Sequence, residues 1–275
     1  MLFEDLLEDK LKVLTPEFVQ LFKDAALKQT HEGDLLLVEV DGGFMQGFSH
    51  QEDDLVGKLY SIGSGHEGHS DRCHNRFIDD YLIKNSSKKS YKDYLKAFEF
   101  SEDRIKEIYA LEEEEARGVQ VEMLIYLKIW EADLFIKRLY QITNIANGID
   151  YDWHFRIKGY NRDKSQNTGT RETIIREKIR DRLKQNYPVI GQAITNAYRT
   201  QIRNAIAHST YYLNNRHIHL TNYKKEDPNS QIEVLSLEEW YDLFHDTITI
   251  YNQLGVSSPK IRYIQKYKIL HFQFL

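Results

Sequence analysis

The stretch "VQVEMLIYLKIWEADLFIKRLYQITNIANG", residues 119–148, constrains the fold more than any other part of this chain. It is the most apolar helical segment present, and a helix that is apolar over so much of its surface has to lie in a core. We therefore expect it to run through the centre of the main domain and to stop at Asn147-Gly148, a helix-ending pair.

The rest of the chain reads as mostly helical. Helices are expected near 2–13 and 16–28, with Thr15 as N-cap before Pro16. A short hairpin is expected at 35–49 around Asp41-Gly42-Gly43, and a long polar, glycine-rich loop from His50 to Arg76. Helices resume at 77–84 and 90–98, and Ser101 caps a further one through "EDRIKEIYALEEEEAR" that Gly118 interrupts. Residues 157–170 are a polar connection without periodicity and a candidate binding loop. A charged helix, "RETIIREKIRDRLKQN", then reaches the Tyr187-Pro188 break, and Pro188 opens a helix expected to continue through His208. Strands in "RHIHLTNY" and "QIEVLS" flank "KKEDPNS". Ser236 with Glu239 forms a capping box for a helix at 237–253, and the tail "ILHFQFL" reads as a strand. Two regions are expected: an accessory part, 1–118, and a main helical part, 119–275, with a C-terminal hairpin, helix and tail.

With 275 residues, 41% of them hydrophobic and 29% charged, the chain is long enough to bury a substantial core. Its first residues are acidic and amphipathic, and no apolar run approaches the roughly 18 residues of a membrane span. The single Cys73 rules out an internal disulfide framework. A cytoplasmic protein, neither secreted nor membrane-spanning, is the expectation. The net charge of −5 conceals an uneven distribution. Residues 1–60 hold thirteen Asp and Glu against five Lys, whereas residues 155–203 hold twelve Arg and Lys against four Asp and Glu. A basic segment in an acidic chain is the footprint of a phosphate-binding surface, although a solvated helix face has the same composition.

That basic segment leads into "QIRNAIAHSTY", residues 201–211. At about 100° per residue, Ile194, Tyr198, Ile202, Ala205 and Ile206 share one arc, which is the packing face. Arg203, Asn204 and His208 lie outside it. Asn204 and His208 are stacked neighbours, while Arg203 sits about 140° from His208, so one helix does not aim both groups at one atom. A second surface has to complete any site they form.

"RNAIAH" resembles the R-x4-6-H signature of the HEPN superfamily, in which Asn commonly follows the arginine. The likeness covers roughly residues 119–254 and implies a mainly α fold: a HEPN-like helical bundle with small β-hairpin additions and a mostly helical N-terminal region. Many members are metal-independent endoribonucleases, toxins or effectors of antiviral defence and abortive infection, with a site built across a homodimer. Carried over by position, the resemblance makes Arg203 and His208 catalytic and Asn204 supporting. It implies RNA as substrate, no cofactor, no metal, and an antitoxin or defence-system partner for the N-terminal region. Toxins paired with a nucleotidyltransferase antitoxin typically have tyrosine two residues after the histidine. Here Thr210 occupies that place and Tyr211 follows it.

The residue types suit the chemistry. Attack of an RNA 2′-hydroxyl on the adjacent phosphate needs a base, an acid and positive charge at the phosphorane. Histidine takes either proton role near neutrality, and arginine offers a permanent forked charge. Asn204 can donate to a phosphate oxygen or orient His208. The expected products are a 2′,3′-cyclic phosphate and a 5′-hydroxyl. Arg176, Arg180, Arg182 and Arg199 are candidate phosphate contacts, with Glu177 and Asp181 offering a helical salt-bridge face as the alternative. Tyr211, Tyr212 and His217 can stack on bases or close the strand pair. Glu131 or Asp133 can orient the motif arginine.

Two other readings remain open from sequence. One is a non-catalytic HEPN-type dimerisation module that binds RNA or nucleotide. The other is a metallohydrolase using His66, His69, Cys73, His74, Asp79 and Asp80, whose spacing within a glycine-rich loop matches no standard metal site.

Overall fold

The computed structural model describes residues 2–28, 66–87, Lys96, 105–152, 154–159, 167–226 and 231–266. The chain is mainly helical and carries a small three-stranded antiparallel sheet. The expected hairpin at 35–49, the loop from 50 to 65, most of the 90–98 helix, Ser101 and the tail strand lie outside the described residues. No described helix is long and apolar enough to cross a membrane.

Strand β1 (Leu2–Phe3) pairs in parallel with β2 (Ser86–Ser87). Helix α1 (Glu4–Lys28) is continuous, with Pro16 inside it, where the sequence reading placed two helices. Proline costs about 3 kcal/mol in a helix interior, but each fully buried large apolar side chain returns roughly 1.5–3 kcal/mol. Leu14, Phe18, Leu21 and Phe22 are all buried along α1, and their helical spacing runs straight through the proline. Helix α2 (His66–Asn85) also corrects the reading of 66–76 as loop. Only Gly68 falls within that stretch, at a helix cost of about 1 kcal/mol, and the buried Ile78 and Tyr81 anchor the helix downstream.

Gly118 does not interrupt α3 (Ile105–Glu131), because Val119, Met123, Tyr126, Ile129 and Trp130 bury a continuous face around it. The break comes instead at Ala132, which is extended, so the long apolar stretch is two helices, α3 and α4 (Asp133–Ala146). Asn147 caps α4 and Gly148 follows with φ +72°, the expected stop. Thr170 Oγ1 accepts the N–H of Thr173 at 3.2 Å and opens α5 (Arg171–Thr173). A π-helical stretch (Ile174–Arg180), α6 (Asp181–Asn186) and α7 (Pro188–Ala197) follow. A further correction concerns the motif helix, which is not continuous from Pro188. Tyr198 and Arg199 leave the helix, and the motif rides on a separate two-turn helix, α8 (Thr200–Ala207).

Strands β3 (Tyr211–Asn214), β4 (His217–Leu220) and β5 (Val234–Ser236) form the antiparallel sheet in that order. The latter two were expected; β3 was not. Asn215 and Arg216 turn between β3 and β4 with φ of +47° and +58°, the left-handed pair that suits a two-residue hairpin. The capping box forms: Ser236 N–H donates to Glu239 Oε2 at 2.8 Å and Glu239 N–H to Ser236 Oγ at 3.2 Å. It starts α9 (Leu237–Lys266), longer than the expected 237–253.

The chain divides into two compact units that interleave in sequence. The first comprises 1–14, 76–131 and 192–250, the second 15–75, 132–191 and 251–275. The first has an aromatic core in which Trp240 meets Tyr126 edge-on at 5.7 Å and stacks on Phe244 at 6.0 Å. Buried carboxylates there are bonded rather than bare: Glu122 accepts from Tyr81 Oη and Trp240 Nε1 at 2.9 and 2.8 Å. In the second unit, Glu17 accepts the N–H groups of Val189 and Ile190 at 3.1 and 2.9 Å, occupying the start of α7 as a helix-capping acid. Gly191 lets α7 approach Lys184 closely, since a Cβ there would lie 2.8 Å from the Lys184 backbone nitrogen.

Candidate active site on the motif helix

The packing arc read from the sequence holds across the helix break. Ile194, Tyr198, Ile202, Ala205 and Ile206 are all buried. The break itself has a tertiary cause. Arg199 is extended at φ −124° and ψ 115°, and its N–H donates to Tyr126 Oη at 3.4 Å instead of continuing the helical ladder. Tyr126 is wholly buried, and burial pushes its hydroxyl up, keeping it neutral. Its neighbour Tyr198 packs on Trp130 with centroids 5.1 Å apart.

Helix α8 packs on α3, and this brings Arg203 to Glu131, the last residue of α3. Arg203 Nε donates to Glu131 Oε1, and Arg203 Nη1 donates to Asn204 Oδ1 at 2.7 Å. The guanidinium is half-buried. Burial works against its charge, and the bond to Glu131 outweighs that, so Arg203 is held above the usual arginine range. Two of the three guanidinium nitrogens are engaged, whereas Nη2 makes no hydrogen bond among the described residues. Asn204 spends its carbonyl oxygen on Arg203, which makes it an arginine holder in this arrangement, and its amide hydrogens make no hydrogen bond among the described residues.

His208 is the C-cap of α8 and is exposed. Its N–H donates to Asn204 O at 3.0 Å, and its imidazole makes no hydrogen bond, ion pair or ring contact among the described residues. Ser209 follows in the left-handed region, φ +54°, and Thr210 N–H returns to Ala205 O at 2.9 Å, so the chain reverses directly after the imidazole. Of the two acids considered for Arg203, Glu131 makes the contact. Asp133 pairs with Arg171 at 2.6 Å in the other unit.

Arg199 is exposed, with no side-chain hydrogen bond or ion pair among the described residues. Arg176, Arg180 and Arg182 lie in the second unit. Arg176 bonds Glu172 at 2.7 Å, Arg180 bonds Asp181 at 2.7 Å, and Arg182 donates to Asn144 Oδ1. Tyr211 shares the inward side of its sheet with Ile218, Leu220 and Leu235, and burial pushes its hydroxyl up. Tyr126 was the residue that sequence reasoning missed, since nothing in the pattern of α3 marks one tyrosine as a hydrogen-bond acceptor for another helix.

On α2, Cys73 is exposed and His74 half-buried, while the side chains of His66 and His69 lie outside the described residues. Among the described residues no group of three His, Cys, Asp or Glu is placed to hold a metal ion. Asp79 is held above the usual carboxylate range by partial burial and by Asp80 beside it.

No family model matches the chain, and neither a curated protein nor a solved structure matches it.

Proposed function

We propose that the chain is a metal-independent endoribonuclease whose site combines Arg203 and His208 from two copies of α8 across a homodimer. The observation that carries this reading is the state of the two polar residues. Arg203 is fixed by Glu131 and Asn204 with Nη2 left without a hydrogen bond among the described residues, while the His208 imidazole is exposed and uncommitted. A fixed guanidinium is what a phosphorane needs, and an uncommitted imidazole can move a proton.

In the mechanism, one His208 takes the proton of the 2′-hydroxyl as its oxygen attacks phosphorus. The Arg203 guanidinium stabilises the charge on the non-bridging oxygens, and the other protomer's copy of His208 protonates the departing 5′-oxygen. A 2′,3′-cyclic phosphate and a 5′-hydroxyl result, and no metal is required. A toxin or defence-effector role, with a partner engaging residues 1–118, follows from the HEPN resemblance.

The test is incubation of purified protein with total RNA in EDTA, beside Arg203→Ala and His208→Ala. Removing one such charge or proton-transfer group costs about 10²–10³ in rate. Equal cleavage by wild type and both variants would remove the proposal.

A further inference from the structure

The register of the three-stranded sheet sorts its residues into two faces. Tyr212 stands opposite His219, Asn214 opposite His217, His219 opposite Val234 and His217 opposite Ser236, so these six share one face. The opposite face carries Ile218, Leu220 and Leu235, all buried, and seals the sheet onto its unit.

The outward face is chemically unusual for this chain. The Tyr212 and His219 rings lie parallel, 3° apart in plane, with centroids at 4.6 Å, and His217 leans toward His219 at 6.5 Å. Tyr212 is 52% exposed. None of the six outward residues is acidic, although the chain has 42 Asp and Glu. The turn at one end is clamped, because Arg216 bonds Glu115 through both carboxylate oxygens, at 2.9 and 3.1 Å, and pairs with Glu238 at 2.8 Å. At the other end, Thr221 N–H donates to Thr210 O at 2.9 Å, tying β4 to the segment that leaves His208.

We infer that the outward face of this sheet, centred on the Tyr212–His219 stack with His217 beside it, binds unpaired bases of a single-stranded RNA. The inference deepens the ribonuclease reading and rests on it. Flat rings with polar edges on a rigid sheet suit a planar heterocycle, because every base has a π-face to lay on them. None of the six side chains is itself a carboxylate, and the nearest acid at this face, Glu239, bonds Ser236 at the edge away from the Tyr212–His219 pair in register, which limits the repulsion a phosphodiester would meet at the stack. Four residues of chain reach at most about 14 Å, so Tyr212 stands close enough to His208 for one strand to touch both. The sheet would thus hold the strand while the motif helix acts on it.

The experiment measures anisotropy of a labelled single-stranded RNA, an abasic strand of equal length and an RNA duplex against the full chain and its Tyr212→Ala, His219→Ala and Tyr212→Trp variants. The expected result is that wild type prefers the base-bearing single strand to the abasic one by about tenfold or more. Each alanine variant loses that preference without losing abasic binding, and Tyr212→Trp keeps it and shows fluorescence quenched by RNA. Circular dichroism separates a lost ring from a lost fold. Unchanged preference in correctly folded Tyr212→Ala would overturn the proposal, as would a Tyr212→Ala defect confined to dimerisation, which would assign the face to a second copy. The parent reading fails separately: Arg203→Ala that cleaves like wild type removes the nuclease, whereas Tyr212→Ala that binds and cleaves like wild type removes only the platform.

Discussion

Glu131 accepts from Nε of Arg203, joining the end of α3 to the motif helix through a half-buried ion pair. Together with the Nη1 bond to Asn204, the contact holds the guanidinium in place, and Nη2 makes no hydrogen bond among the described residues. In the proposed chemistry the acid would act through the arginine, as a positioning residue.

Glu131→Ala is expected to lower single-turnover RNA cleavage by about tenfold or more while leaving KM nearly unchanged, because orientation is lost and not binding. Glu131→Gln keeps an oxygen acceptor for Nε and should recover much of the rate. If both variants cleave at the wild-type rate, Glu131 has no positioning role. If KM rises with kcat constant, the acid serves substrate binding instead.

Two buried groups on α9 give stability opposite responses to acid. Burial pushes His245 down to about 4; its Nε2 accepts the Phe3 N–H at 3.0 Å and its Nδ1 donates to Tyr241 O at 2.7 Å, so both positions are committed to the neutral ring. A folded value below the unfolded one, about 6.5, means that His245 contributes stability above that value and loses it as pH falls toward 4. Burial pushes Asp246 up to about 6 against the pull of Lys10, 2.9 Å away, with Asp242 adding repulsion. Its folded value lies above its unfolded one, so its penalty is present above pH 6 and is relieved as pH falls from about 6 to 4. Urea unfolding from pH 7 to 4 should show Asp246→Asn losing stability more steeply with acid than wild type, and His245→Gln losing it less steeply. Parallel curves for all three would contradict the assignment.

Arg216→Ala leaves the wholly buried Glu115 carboxylate without its guanidinium partner, retaining the Tyr241 hydroxyl at 2.6 Å. Breaking a buried pair from one side costs roughly 3–5 kcal/mol, far more than an exposed pair is worth. Denaturant titration should record a loss of that order. A change below about 1 kcal/mol would show that the clamp contributes nothing net.

What was legible in the sequence follows from which forces are local. The arc of Ile194, Tyr198, Ile202, Ala205 and Ile206 was readable because burial is periodic, and it survives the break at Tyr198 and Arg199. The break was not readable, since it depends on the Tyr126 hydroxyl, which arrives from a helix some seventy residues earlier in the chain. Thr15-Pro16 and Gly118 have the local chemistry of helix ends, but the buried faces of α1 and α3 extend past them and outweigh it. The capping box of Ser236 and Glu239 was legible because its partners sit three residues apart. Glu131 could be named as a candidate beside Asp133, but only the packing of α8 on α3 chose between them.

Helix α8 has eight residues, and helices shorter than about 12–15 residues are marginal in water. It persists because Tyr126 holds its start, Glu131 its middle and the Thr210 amide its end. The segment carrying Arg203 and His208 is therefore a conditional structure. A nascent chain, a proteolytic fragment or a synthetic peptide would hold the same letters without the arrangement. Whatever the motif does, it would do only in a chain whose α3 is folded against it.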